Sequence, residues 1–96
     1  MIRPRAMLLG LWIATVSAAD YESCIIRDAR GNIARSIAAR AAFARANPCP
    51  STQRPGLPCP GYRIDHIVPL KRCGADMTIN MQWLTIEEWR AKTKRE

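Results

Sequence analysis

The sequence has few of the side chains that build a large hydrophobic core. Aromatic residues make up 6% of its 96 residues, with one phenylalanine, and alanine and cysteine supply much of its 48% apolar content. A domain this small with so thin a core usually needs additional cross-links to be stable. The composition therefore excludes collagen, a coiled coil, a membrane protein and an enzyme with a large buried pocket.

The longest feature near the N-terminus is an uncharged run of 14 residues from Ala6 to Ala19. This is shorter than the roughly 20 residues of a membrane-spanning helix. It follows two arginines and ends in small residues suited to a cleavage site, which are Ser17 and Ala19 or Val16 and Ala18. We predict an export signal over residues 1–19 and a periplasmic or secreted domain over 20–96, without a membrane span. An uncleaved anchor and a buried N-terminal helix are the alternatives.

Basic residues outnumber acidic ones, with 15 Lys and Arg against 8 Asp and Glu and a net charge of +7. Without Arg3 and Arg5 of the predicted signal, the net charge is +5. A moderately basic exported protein suggests a polyanionic partner such as nucleic acid.

All four cysteines lie after the predicted signal, and none of them forms a Cys-x-x-Cys pair. An even number in an exported chain favours two disulfides over free thiols or a four-cysteine zinc site. We favour Cys49 with Cys59 and Cys24 with Cys73, because prolines already bend the first loop. A disulfide that closes a loop as short as that between Cys49 and Cys59 stabilises a fold by about 2.5 to 3 kcal/mol.

The remaining patterns predict a small disulfide-stapled α+β domain. Asp28 and Gly31 suit a turn between two short strands. Ser36 can cap an alanine-rich helix through Ala46, with an apolar face of Ile37, Ala41 and Ala44. The proline-rich segment 47–61 excludes regular structure. Strands over 62–70 and 80–84 and a capped helix from Ile86 to about Arg95 then form a ββα unit at about 62–95.

The C-terminal third resembles the HNH (ββα-metal) endonuclease family. The resemblance rests on Asp65-His66-Ile67-Val68-Pro69-Leu70, on a loop with Gly74-Ala75-Asp76, and on Asn80-Met81-Gln82. The cysteine-containing segments before it resemble a small exported branch of that family. A histidine with a purely structural role in a small β-unit is the alternative interpretation.

The resemblance implies phosphodiester hydrolysis at a single divalent metal ion. His66 would be the general base, Asn80 would orient its ring, and Asp65 would ligate the metal. An imidazole exchanges protons near neutral pH, and a bound cation stabilises the leaving oxygen. Mg²⁺, Mn²⁺, Ni²⁺ and Zn²⁺ are not distinguished. Basic residues expected to contact nucleic acid are Lys92, Arg63 and Lys71.

One position departs from the family pattern. The third motif residue, a metal-ligating His or Asn, falls nine positions after Asn80, where this chain has Trp89. Glu88, one step round the helix, is a candidate replacement ligand. Water as a ligand in a weak site and a degenerate, inactive site are the other two interpretations. Trp83 is expected in the core rather than as a platform for base stacking.

These observations predict a metal-dependent nuclease of low sequence specificity, with DNA favoured over RNA as substrate. The alternative is a catalytically degenerate HNH-like module that binds nucleic acid or another polyanion without cleaving it. A third is a structural or inhibitory exported protein. The sequence does not indicate whether an immunity or inhibitor protein binds it.

Overall fold

The computed structural model describes residues 23–96 and shows a small α+β arrangement within them. The order is α1 (Ile37–Ala46), β1 (Tyr62–His66), β2 (Met81–Thr85) and α2 (Ile86–Arg95). The export signal predicted for residues 1–19 lies outside the described part of the chain. None of the helices in the described part is long and apolar enough to cross a membrane.

Helix α1 begins and ends where the sequence predicts. The Ser36 hydroxyl accepts a hydrogen bond from the backbone N–H of Ala39, and the helix ends at Ala46, two residues before Pro48. The predicted apolar face is wrong at one position, because Ile37 is 84% exposed while Phe43 and Ala44 are buried. The Ile37 side chain therefore faces solvent, and the buried residues of α1 lie nearer its C-terminal end.

The predicted N-terminal hairpin is reduced to a single bridge between Arg27 and Ile33. Its turn forms as expected, since Asp28 Oδ1 accepts hydrogen bonds from two backbone N–H groups within the turn. Gly31 has φ +83°, which glycine adopts without steric cost. The turn is therefore better formed than the strands beside it.

Both predicted disulfides are confirmed. Cys49 pairs with Cys59 within the irregular segment that precedes β1, and both residues are buried. Cys24 pairs with Cys73, which joins the N-terminal segment to the loop between the two strands. Together with Phe43, Ala44 and Met81, the buried Cys49 and Cys59 form the small core of the described residues.

The antiparallel sheet is shorter than predicted, because β1 ends at His66 rather than continuing to Leu70. Its register pairs Tyr62 with Thr85, Asp65 with Gln82 and His66 with Met81. The chain then leaves the sheet, and Leu70–Arg72 forms a 3₁₀ turn after Pro69. Proline lacks the N–H that continued pairing in a sheet requires.

Helix α2 has the predicted bounds and the predicted cap. Thr85 Oγ1 accepts from the backbone N–H of Glu88, and the Glu88 carboxylate accepts from the backbone N–H of Thr85. Trp83 on β2 packs against Phe43 of α1, with 5.4 Å between ring centroids. Its indole N–H also donates to the carbonyl of Asn47, so Trp83 joins α1 to the sheet.

Candidate active site

A cleft of about 270 Å³ opens where β1 ends beside α2. Asp65 and His66 both border it, although neighbouring residues of a regular strand point to opposite faces. The other lining residues come from the N-terminal segment, the 3₁₀ turn and α2: Ile33, Arg35, Ile64, Pro69, Leu70, Lys71, Trp89, Thr93 and Glu96.

The His66 ring is held by Asp76. His66 Nε2 lies 2.9 Å from Asp76 Oδ1, and the other oxygen of this carboxylate accepts a 2.5 Å hydrogen bond from the backbone N–H of Ser36. Because Ser36 is the N-cap of α1, the carboxylate also lies at the positive end of the helix dipole. In the tautomer that carries its proton on Nε2, His66 donates a hydrogen bond to Asp76, and the lone pair of the neutral ring is on Nδ1.

Asn80 acts on the loop between the strands rather than on the histidine ring. Its side chain donates to the carbonyls of Val68 and Ala75 and accepts from the backbone N–H of Val68. The ring contact expected of Asn80 is made by Asp76, whereas Asn80 holds the backbone of the residue before Asp76. Asn80 therefore positions the ring indirectly.

The loop is also constrained by its own backbone. Cys73 has φ +66° and carries the disulfide to Cys24. A Cβ on Gly74 would lie 1.8 Å from the carbonyl oxygen of Val68, so no larger residue fits there without movement. The loop that presents Asp76 is thus fixed by a disulfide, a tight turn and the Asn80 side chain.

Asp65 is the buried charged residue of the described part of the chain, with 8% of its surface exposed. Asp65 Oδ2 lies 3.0 Å from Lys92 Nζ and accepts a 3.0 Å hydrogen bond from Gln82 Nε2. Lys92 Nζ also donates to the His66 carbonyl at 2.8 Å and to Glu96 Oε1 at 2.5 Å. These three oxygen partners match the three N–H donors of an ammonium group.

The charge state of Lys92 follows from these contacts. Burial alone would lower the pKa of Lys92, but its hydrogen bonds to Glu96 and Asp65 outweigh this effect and raise the pKa above the ordinary 10.5. Lys92 was expected to contact nucleic acid. In this arrangement all its N–H donors are committed within the protein.

The two carboxylates predicted to ligate a metal do not converge. The Glu88 carboxylate bonds to Thr85, and the hydrogen bonds with the backbone and side chain of Thr85 hold the pKa of Glu88 below 4.5. Thr85 pairs with Tyr62, three residues along β1 from Asp65, which is about 10 Å in a strand.

Within residues 23–96, no three His, Cys, Asp or Glu side chains form a group that could hold a metal ion. Asp65 and Glu88 do not share a site here, because Glu88 is bonded to Thr85, which pairs with Tyr62 at the other end of β1. The divalent ion remains a prediction that rests on the resemblance, since water can supply the remaining ligands of a hard cation.

The other predicted residues lie at the edges of the cleft. The Arg63 guanidinium stacks over the Trp89 ring, 4.4 Å from its centroid, which is a cation–π contact. Lys71 Nζ donates to the backbone carbonyl of Glu96. Arg35, which was expected to be solvated and was given no role in the site, also borders the cleft.

Asp76, Gln82 and Glu96 were not among the predicted site residues. Asp76 and Gln82 belong to the motifs on which the HNH resemblance rests. Their place in those motifs is the feature of the sequence that could have identified them as site residues. Glu96 lies four residues after Lys92, the spacing at which side chains of a helix meet.

Comparison of this chain with protein-family models, curated proteins and solved structures finds no match.

Proposed function

We propose that this protein is a nuclease of the HNH type that hydrolyses phosphodiester bonds with low sequence specificity, DNA being favoured over RNA. The observation that carries the proposal is the hydrogen bond between His66 and Asp76 at the border of an open cleft. A histidine oriented by a carboxylate is an arrangement that general-base catalysis uses. The order of two strands and a capped helix agrees with the resemblance.

In the proposed reaction, the lone pair on His66 Nδ1 takes a proton from water while the water oxygen attacks phosphorus. The bond from phosphorus to the leaving oxygen breaks, and that oxygen keeps the electron pair and is protonated by solvent. Asp76 stabilises the imidazolium that forms, and the imidazolium then returns its proton to solvent, which restores the neutral ring. One water is consumed for each bond cleaved, and every group that gives or takes a proton belongs to the chain or to solvent.

Positive charge around the cleft supports an anionic substrate. Arg35 and Lys71 border it, and Arg63 lies beside it on Trp89. Contacts from such residues to phosphates position a nucleic acid without reading its sequence. This is the basis for proposing low specificity.

A binding module that does not cleave is the second candidate. Two observations favour it, and the first is that Lys92 already neutralises Asp65. The second is that Trp89 stands at the position of the third motif residue, where the HNH pattern has a metal ligand. Such a module would bind polyanions with an affinity that falls steeply as salt rises.

Nicking of supercoiled plasmid by the oxidised protein, with chelator and with added Mg²⁺ or Mn²⁺, tests the proposal. His66→Ala should lower the rate by about 10² to 10⁴ without loss of the fold or of DNA binding. Ile37→Ala, on the exposed first turn of α1, is the matched control and should cut like the parent. If the parent binds DNA in a salt-dependent way but never nicks it, the binding module is the correct assignment.

The localisation is proposed on similar grounds. Two disulfides are compatible with an exported protein. We propose that residues 1–19 direct export and that the product begins near Asp20, which intact mass spectrometry of exported protein would test. A product that retains Met1 would contradict it.

A further inference from the structure

The oxygen atoms around Lys92 form the kind of environment in which proteins hold a hard cation. They belong to the Asp65 carboxylate, the Glu96 carboxylate and the His66 backbone carbonyl, between 2.5 and 3.0 Å from Lys92 Nζ. Carboxylates and carbonyls are the usual ligands of Ca²⁺, and carboxylates those of Mg²⁺. In this protein the cation among these oxygen atoms is the ammonium group of Lys92.

The Lys92 ammonium comes from the same part of α2 as Trp89, the residue at which this chain departs from the HNH pattern. Lys92 lies three residues after Trp89 on α2, so the two side chains share one face of the helix. A residue on that face is expected to supply a metal ligand in the HNH pattern. In this chain the same face supplies an ammonium group to Asp65, which the pattern assigns to the metal.

The charges of Asp65, Glu96 and Lys92 do not cancel one another. Asp65 and Glu96 together carry two negative charges, and Lys92 supplies one positive charge between them. The side chains are largely withdrawn from solvent, with exposed fractions of 19% for Lys92, 9% for Asp65 and 19% for Glu96. Removing the ammonium would leave two carboxylates and a carbonyl around one point, with a total charge that matches a divalent ion.

We infer that the ammonium of Lys92 occupies the cation position of this site and keeps a divalent ion away from Asp65. Divalent ions bind there only when the ammonium is removed. Exclusion of the ion by Lys92 does not depend on whether the protein cleaves nucleic acid. Its failure is therefore distinguishable from failure of the proposed nuclease activity.

Calorimetric titration with Mn²⁺ and Ca²⁺ alone tests the inference on the full oxidised chain. Lys92→Ala should bind at least one of the two ions about tenfold or more tightly than the parent, a difference of about 1.4 kcal/mol. Lys94→Ala removes an exposed lysine from the same helix and should bind like the parent. This control separates loss of the specific ammonium from a general change in charge.

Lys92→Ala leaves Asp65 buried without its partner and could therefore unfold. A second variant covers this case. The double variant Asp65→Asn with Lys92→Met removes both charges and should fold without binding either ion more tightly than the parent. If Lys92→Ala alone is unfolded, Mn²⁺ or Ca²⁺ should restore its folding, because an ion that binds only the folded state stabilises it.

Two results would overturn the inference. One is that a folded Lys92→Ala binds the ions no more tightly than Lys94→Ala or the double variant does, or that neither ion restores the folding of an unfolded Lys92→Ala. The other is tight Mn²⁺ or Ca²⁺ binding by the parent that Asp65→Asn abolishes, since the ion would then share the site with the ammonium.

Discussion

His66 Nε2 and Asp76 Oδ1 lie 2.9 Å apart, although ten residues separate them in the chain. Asp76 is presented by the loop between the strands, and its second oxygen is bonded to Ser36 at the start of α1. The ring is therefore oriented by a group that is itself held by a separate element. Such support from a second layer of contacts is what keeps a catalytic group in a productive orientation.

If His66 is the general base of the proposed nuclease, Asp76→Asn should impair cleavage without removing the fold. The amide oxygen can still accept from Ser36, but the amide NH₂ then faces His66 Nε2 and favours the tautomer with its proton on Nδ1. We expect kcat for plasmid nicking to fall by about 10² to 10⁴ with KM little changed, and the pH profile to move. Asp28→Asn, in the N-terminal turn, is the control. Unchanged kcat and pH profile would leave Asp76 without a positioning role.

Asn80→Ala should loosen the loop that carries Asp76. It removes three side-chain hydrogen bonds, each contributing about 0.5 to 1.5 kcal/mol, so the free energy of unfolding should fall by about 2 kcal/mol. Denaturant unfolding of the oxidised protein measures it. Asn32→Ala, in the N-terminal turn, should change stability by no more than about 0.5 kcal/mol. An equal effect of both substitutions would contradict the role assigned to Asn80.

Trp89→His places an imidazole on the face of α2 where the HNH pattern has a ligand. We expect this variant to bind Mn²⁺ no more tightly than the parent, because Lys92 still occupies the position beside Asp65. Adding Lys92→Ala to Trp89→His should give tighter binding than Lys92→Ala alone. Calorimetry compares the three proteins, and tight binding by Trp89→His alone would show that the ammonium is no obstacle.

The Lys92 ion pairs should make stability depend on alkaline pH. Because the folded state raises the pKa of Lys92, its contribution is fully present below about pH 10.5 and is lost as pH rises through the folded pKa. Between these two values, Lys92 should lower the free energy of unfolding by up to about 1.4 kcal/mol per pH unit. The double variant Asp65→Asn with Lys92→Met should lack this component. Parallel curves for parent and variant would contradict it.

The elements that the sequence predicted well depend on local chemistry. Ser36 and Thr85 are hydroxyl residues at helix starts, and their hydrogen bonds are made within three residues. The short disulfide between Cys49 and Cys59 closes a loop that prolines had already bent. The error at the end of β1 has a different origin, since an apolar run continues to Leu70 while pairing stops at His66. An apolar run alone does not show where a partner strand ends.

For the candidate site, the sequence by itself identified the motif residues His66, Asp65 and Asn80 and the unusual Trp89. It did not show that Asp76 would bond to the ring or that Lys92 would bond to Asp65, because these contacts join residues 10 and 27 positions apart. Local pattern governs caps, turns and helix bounds, where the partners are neighbours in the chain. Only the tertiary structure decided which charges meet, because that depends on how the strands and α2 pack.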